Sequence, residues 1–71
     1  MPATTQQPPP VDEPKHPLAE LTTYELNAYL RQLHAAVTFF EQTGAPALAL
    51  MRDKLAQALA EQADRKRLAD A

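Results

Sequence analysis

Gly44 is the only glycine of the chain, and patterned apolar residues stand on both sides of it. Before it, apolar residues recur at spacings of four and three, and after it at three and four, as on one face of an α-helix. Glycine adopts the left-handed conformation that ends many helices, and Pro46 suits the first turn of the next one. The pattern predicts two α-helices, over about residues 22–43 and 46–70.

The connection between these helices is short enough to predict how they pack. It forces an antiparallel hairpin, in which residues equally distant from Gly44 face one another. Phe40 then faces Leu48 near the turn, whereas Leu26 faces Gln62 at the open end. The predicted fold is all-α, an antiparallel two-helix hairpin. Its predicted core comprises Leu26, Leu30, Leu33, Val37, Phe40, Leu48, Met51, Leu55 and Ala58.

The segment LTTYEL, residues 21–26, predicts where the first helix begins. Thr22 takes the N-cap position, where its hydroxyl accepts a hydrogen bond from the backbone N–H of Glu25. The Glu25 carboxylate accepts the N–H of Thr22 in return, which completes a capping box. Leu21 and Leu26 stand at the two positions of a hydrophobic staple.

The N-terminal segment has a different composition from the rest of the chain. Residues 1–17 hold six of the seven prolines, and residues 8–10 favour an extended backbone without a core of its own. We predict a disordered Pro-rich tail over residues 1–17 and the helical hairpin over residues 18–71. The PxxP sequence at residues 14–17 leaves open a second interpretation, in which the tail is a peptide ligand rather than a linker.

Length and composition restrict the class of protein. The chain has 71 residues and no cysteine, so neither a disulfide nor a thiolate metal site can stabilise it. A chain this short seldom buries a core worth more than about 3–5 kcal/mol and usually needs oligomerisation or a partner. The net charge of −2 gives no positive field for nucleic acid, and no apolar run is long enough to cross a membrane. Without a signal-peptide pattern we expect a cytoplasmic protein, and the alanine-rich, isoleucine-free composition is typical of GC-rich bacterial genomes.

Some large apolar residues lie outside the seam of the hairpin. A fully buried Leu or Phe gains about 1.5–3 kcal/mol over an exposed one, so these residues are expected to lie against another surface. The chain offers no third helix for this purpose. We therefore predict a partner, either a second copy that completes a four-helix bundle or a larger protein. The predicted partner interface comprises Tyr29, Phe39, Leu50 and Leu59.

Residue patterns for metal binding or catalysis are missing from the sequence. His34 is the only histidine of the helical region, and neither HxxxH nor HExxH occurs. The chain has no serine or cysteine nucleophile and no glycine-rich phosphate loop. We expect no enzyme, no cofactor and no metal.

Two further groups of residues suggest alternative functions. Three consecutive basic residues, with Asp64 and Asp70 beside them, are typical of a helix C-terminus but could also contact nucleic acid or an acidic partner. This possible contact comprises Arg65, Lys66 and Arg67. A nucleotide-type ligand could use a second group, which comprises Tyr24, Tyr29, Arg31 and Arg52.

These observations together favour a small non-enzymatic interaction module, acting as an adaptor, a regulator or a small subunit through the apolar faces of a hairpin. A nucleic-acid-associated regulator and a ligand-binding helical bundle are the alternatives.

Overall fold

The computed structural model describes residues 9–70, and these residues are helical or irregular with no β-strand. A short 3₁₀ helix, Leu18–Glu20, precedes two long α-helices. The first, α1, spans Thr23–Thr43, and the second, α2, spans Leu48–Ala69. The two α-helices pack against each other, which confirms the predicted all-α hairpin.

Side-chain bonds between the two helices show that they run antiparallel. Near the turn, Arg52 Nη2 donates to Glu41 Oε2 at 2.9 Å. Near the open end, Gln62 Nε2 donates to Asn27 Oδ1 at 3.4 Å. Residues late in α1 therefore meet residues early in α2, and the reverse holds at the other end.

The beginning of α1 carries the capping box that the sequence predicts. Thr22 Oγ1 accepts the N–H of Glu25 at 3.1 Å, and Glu25 Oε1 accepts the N–H of Thr22 at 2.8 Å. The backbone N–H of Thr22, and after it the Thr22 side chain, lower the pKa of Glu25, because both stabilise the ionised carboxylate. The backbone N–H groups of Thr22 and Glu25, at the start of the helix, thus both donate to nearby side chains.

The turn between the helices depends on Gly44. Its φ of 67° lies in the left-handed region, and the N–H groups of Gly44 and Ala45 both donate to the carbonyl of Phe40, at 2.8 and 3.2 Å. The second helix begins at Leu48, two residues later than predicted. Leu48 N–H donates to the carbonyl of Ala45, three residues back, so Pro46 lies in a turn that leads into α2.

Burial along the seam is uneven. In the open half of the hairpin the predicted core residues Leu26, Leu30, Leu33 and Ala58 are buried. Val37 is also buried, but the remaining predicted core residues nearer the turn are only half-buried; these are Phe40, Leu48, Met51 and Leu55. The difference arises because an N-terminal segment covers the open half as a third layer.

That third layer consists of residues 18–21, which pack against the core cluster and α2, and of residues 9–17, hereafter the strap. The strap runs as irregular chain along the hairpin, with Val11 packed against the core cluster and the N–H of Asp12 bonded to Gln32 Oε1 at 2.7 Å. Composition alone did not indicate these contacts. The predicted disorder of residues 1–8 lies outside the described residues and stays a prediction.

Candidate interaction surface

The carboxylate of Glu13 ties the strap to both helices. Its Oε1 accepts a bond from Lys54 Nζ on α2, and its Oε2 accepts the hydroxyl of Tyr29 on α1 at 3.4 Å. The bond with Glu13 raises the pKa of Lys54, because it favours the charged ammonium. Burial first, and then the negative charge of Glu13, raise the pKa of the Tyr29 phenol.

Arg65 holds the chain where the strap leads into α1. Its Nη2 donates to the carbonyls of Leu18 and Leu21 at 2.9 and 2.7 Å, and its Nε donates to Glu61 Oε2 at 2.8 Å. Leu21 is buried in the core cluster, and Leu18 packs against that cluster. One guanidinium group near the end of α2 therefore fixes the segment before α1 by two backbone carbonyls.

This role separates Arg65 from the rest of the predicted basic contact. Its side chain is 26% exposed and lies between α2 and the 3₁₀ helix, whereas Lys66 and Arg67 are exposed. Arg67 pairs with Asp64 one turn earlier on α2. The structure therefore does not present the three cations as one basic surface.

The strap lies in a groove that continues toward the turn. Leu50 is four residues before Lys54 on α2, and Phe39 is seven residues after Gln32 on α1. Since 3.6 residues make one helical turn, each lies on the same side of its helix as the strap contact. Leu50 is 54% exposed, and Phe39 is half-buried with its ring edge-on to Phe40 at 5.6 Å between centroids. We call the large apolar residues at this end the turn patch; they are Phe39, Phe40, Leu48 and Leu50.

The four residues of the predicted partner interface are found in three places. Phe39 and Leu50 belong to the turn patch, as described. Tyr29 is 7% exposed and belongs to the core cluster, because the strap lies over it. Leu59 is 40% exposed, but it is nine residues from Leu50 and so projects from the opposite side of α2, about 180° away. Of the four, only Phe39 and Leu50 lie near the turn on the strap side of their helices.

An open cleft of about 310 Å³ lies between the strap and the first half of α1. Tyr24 and Tyr29 both line this cleft, and a ligand-binding function would place both tyrosines at one site. Arg31 does not line the cleft, and Arg52 pairs with Glu41 near the turn. The two tyrosines and two arginines are therefore not assembled into one site.

Within residues 9–70 no three histidine or acidic side chains are grouped so that they could hold a metal ion. His34 lies on the exposed surface of α1. None of the described helices has the length and apolar character required to span a membrane.

The contacts of Glu13, Lys54 and Gln32 were not foreseen in the sequence. Opposite charges at positions 13 and 54 were the only available signal, and several other carboxylates could have paired with that lysine equally well. The chain matches no protein-family model, no curated protein and no solved structure.

Proposed function

We propose that the chain is a small non-enzymatic protein–protein interaction module, acting as an adaptor, a regulator or a small subunit of an assembly. The observation that carries this proposal is the turn patch. Its apolar side chains remain partly exposed to water at one end of a groove, and the strap covers the other end of that groove.

The free energy available at the turn patch supports this proposal. Complete burial of a Leu or Phe side chain stabilises by about 1.5–3 kcal/mol relative to exposure. Leu50 is 54% exposed and the other members are half-buried, so a partner that covers the remaining exposed surface gains roughly 1–5 kcal/mol. Aromatic anchors such as Phe39 are typical of the buried centre of protein interfaces.

A second copy of the chain is one partner that fits the patch. A twofold axis near the turn would place the two patches against each other and complete a four-helix bundle. A larger protein with a complementary apolar surface is the other partner.

The experiment compares charges placed in the turn patch with a charge placed on the opposite side of α2. The double variant Phe39→Glu/Leu50→Glu places two charges in the turn patch, whereas Leu59→Glu places one on the opposite side of α2. We expect the double variant to lose assembly, measured as solution mass by light scattering and as capture of partners from native extract.

Circular dichroism provides the control, because both chains must keep their helix content for the comparison to be valid. Leu59→Glu should assemble as the unmodified chain does. A folded double variant with unchanged mass and unchanged captured partners would show that the turn patch is not the interface.

A further inference from the structure

We propose that the groove filled by the strap is a docking site for an extended acidic segment of a partner protein, and that the strap competes with this segment from within the chain. The inference rests on the proposed function as an interaction module, but it concerns the groove that adjoins the turn patch and a partner with an acidic residue in its segment.

The chemistry of the groove is defined by what the strap places in it. Lys54 from α2 and the Tyr29 hydroxyl from α1 converge on one carboxylate, that of Glu13. Gln32 accepts the backbone N–H of Asp12, and the side chain of Val11 packs against the core cluster. Alternate side chains of an extended chain point to the same side. The groove therefore accepts a segment in which an apolar residue is followed by any residue and then by an acidic residue.

The strap is held by contacts that a competitor can replace. Residues 9–17 form no helix or strand with the hairpin, and the hydrogen bonds to α1 and α2 involve one backbone N–H and one carboxylate. The Glu13 side chain is 56% exposed, and ion pairs with exposed members contribute little net stability. A segment with the same pattern can therefore form the same bonds from another molecule.

A partner segment can gain a contact that the strap does not use. The strap runs antiparallel to α1, since Asp12 lies beside Gln32 and Glu13 beside Tyr29. Phe39 is seven residues beyond Gln32, a rise of about 10 Å, which roughly three extended residues cover. At that position the strap has Pro9, and Leu50 remains 54% exposed. A partner segment with a large apolar side chain at the position equivalent to Pro9 would cover part of the turn patch as well.

The charge of Lys54 favours an acidic segment over other occupants. When the strap leaves, Lys54 loses the only carboxylate with which it pairs among residues 9–70. An incoming carboxylate restores that pair and the bond from Tyr29. A basic segment would place like charges together in a partly buried groove, which is unfavourable.

The test uses the full chain and a synthetic peptide with the sequence of residues 9–17, PPVDEPKHP. In the Glu13→Lys chain, repulsion from Lys54 releases the strap and leaves the groove open. We expect this variant to bind the peptide at least about tenfold more tightly than the unmodified chain. The reason is that the apparent affinity is proportional to the fraction of chains whose groove is open. Chemical shift changes at Tyr29 and Lys54 should locate the peptide.

A charge swap provides the matched control. The Lys54→Glu chain should reject the unmodified peptide and bind a peptide carrying Glu13→Lys. Equal binding of both peptides to either chain, or no binding to the Glu13→Lys chain, would overturn the proposal. Should Glu13→Lys reduce the helix content, Glu13→Gln weakens the hold on the strap without adding a charge, and a smaller gain in peptide affinity over the unmodified chain is expected.

Mixing the two variant chains separates a foreign segment from a second copy. A stable one-to-one dimer of the Glu13→Lys and Lys54→Glu chains would show that straps exchange between copies, which overturns the assignment to a foreign partner. Separate chains that each bind their matching peptide support it. Loss of assembly in Phe39→Glu/Leu50→Glu, together with no peptide binding by the Glu13→Lys chain, would refute this inference while leaving the proposed function intact.

Discussion

Substitution of Arg65 by alanine tests whether this side chain fixes the segment before α1. The change removes the two bonds from Nη2 to the carbonyls of Leu18 and Leu21, and the bond from Nε to Glu61. The helix propensity of alanine is at least as good as that of arginine, so α2 itself should remain intact. Any loss of stability therefore reports the contacts of the guanidinium group.

The magnitude follows from the number of bonds and their exposure. A hydrogen bond to a charged group contributes about 1.5–3 kcal/mol when it is well shielded from water. The Arg65 side chain is 26% exposed, and Leu18 is only half-buried, so water replaces part of what is lost. We expect Arg65→Ala to lower the free energy of unfolding by about 1–2 kcal/mol in total. For a domain of this size the corresponding fall in Tm is roughly 5–12 °C.

Thermal unfolding followed by circular dichroism measures this effect. Arg67→Ala is the matched control, because Arg67 forms only an exposed ion pair with Asp64, worth about 0–0.5 kcal/mol. Arg65→Lys keeps the charge but lacks the fork that reaches two carbonyls, so it should lie between the two. Equal melting temperatures for Arg65→Ala and Arg67→Ala would refute the role assigned to Arg65.

Three further predictions concern the helix start, the turn and the strap. Thr22→Ala should cost about 1 kcal/mol by removing the capping box, and an unchanged melting temperature would contradict that assignment. Gly44→Ala should cost about 1–2 kcal/mol in urea unfolding, because a Cβ there meets no neighbour but strains the left-handed backbone. In a Tyr24→Phe chain, the remaining phenol of Tyr29 should ionise above its ordinary pKa of 10.0 when followed by ultraviolet absorbance. Because the folded-state pKa values of Tyr29 and Lys54 are both raised, their contribution to stability is complete below pH 10 and is lost as the pH rises through those values.

The sequence predicted the features that depend on neighbouring residues. The capping box joins positions 22 and 25, and the turn at Gly44 depends on one residue with a positive φ. The hairpin follows from two periodic patterns and the short connection between them. Each of these is determined within a few residues of chain, which is why local rules were sufficient.

The strap and the role of Arg65 could not be predicted in the same way. The pair Glu13–Lys54 spans 41 residues, and the bond from Arg65 to the carbonyl of Leu18 spans 47. Sequence alone does not indicate which of many carboxylates or carbonyls meets a given cation. Tyr29 was assigned to a partner surface for this reason, since the segment that covers it was taken to be separate from the hairpin.

Helical geometry alone, in contrast, could have predicted that Leu50 and Leu59 do not belong to one surface. Nine residues correspond to two and a half turns, so the two side chains project from opposite sides of one helix. Phe39 and Leu50 both lie near the turn on the same side of the seam, and their assignment to a partner interface stays a prediction. The candidate surface was thus predictable in its turn half, and its other half depended on a long-range contact.

The solution mass of the chain over a range of concentrations shows whether the hairpin assembles through the turn patch. It is measured for the unmodified chain and for Phe39→Glu/Leu50→Glu, each in the presence and absence of native extract. We predict that the unmodified chain forms a species of at least twice its 7.8 kDa mass, alone or with a captured partner, and that the folded double variant stays at 7.8 kDa. An unmodified chain that remains at 7.8 kDa in both conditions, or a double variant that assembles equally well, would contradict the claim that this hairpin is an interaction module acting through the turn patch.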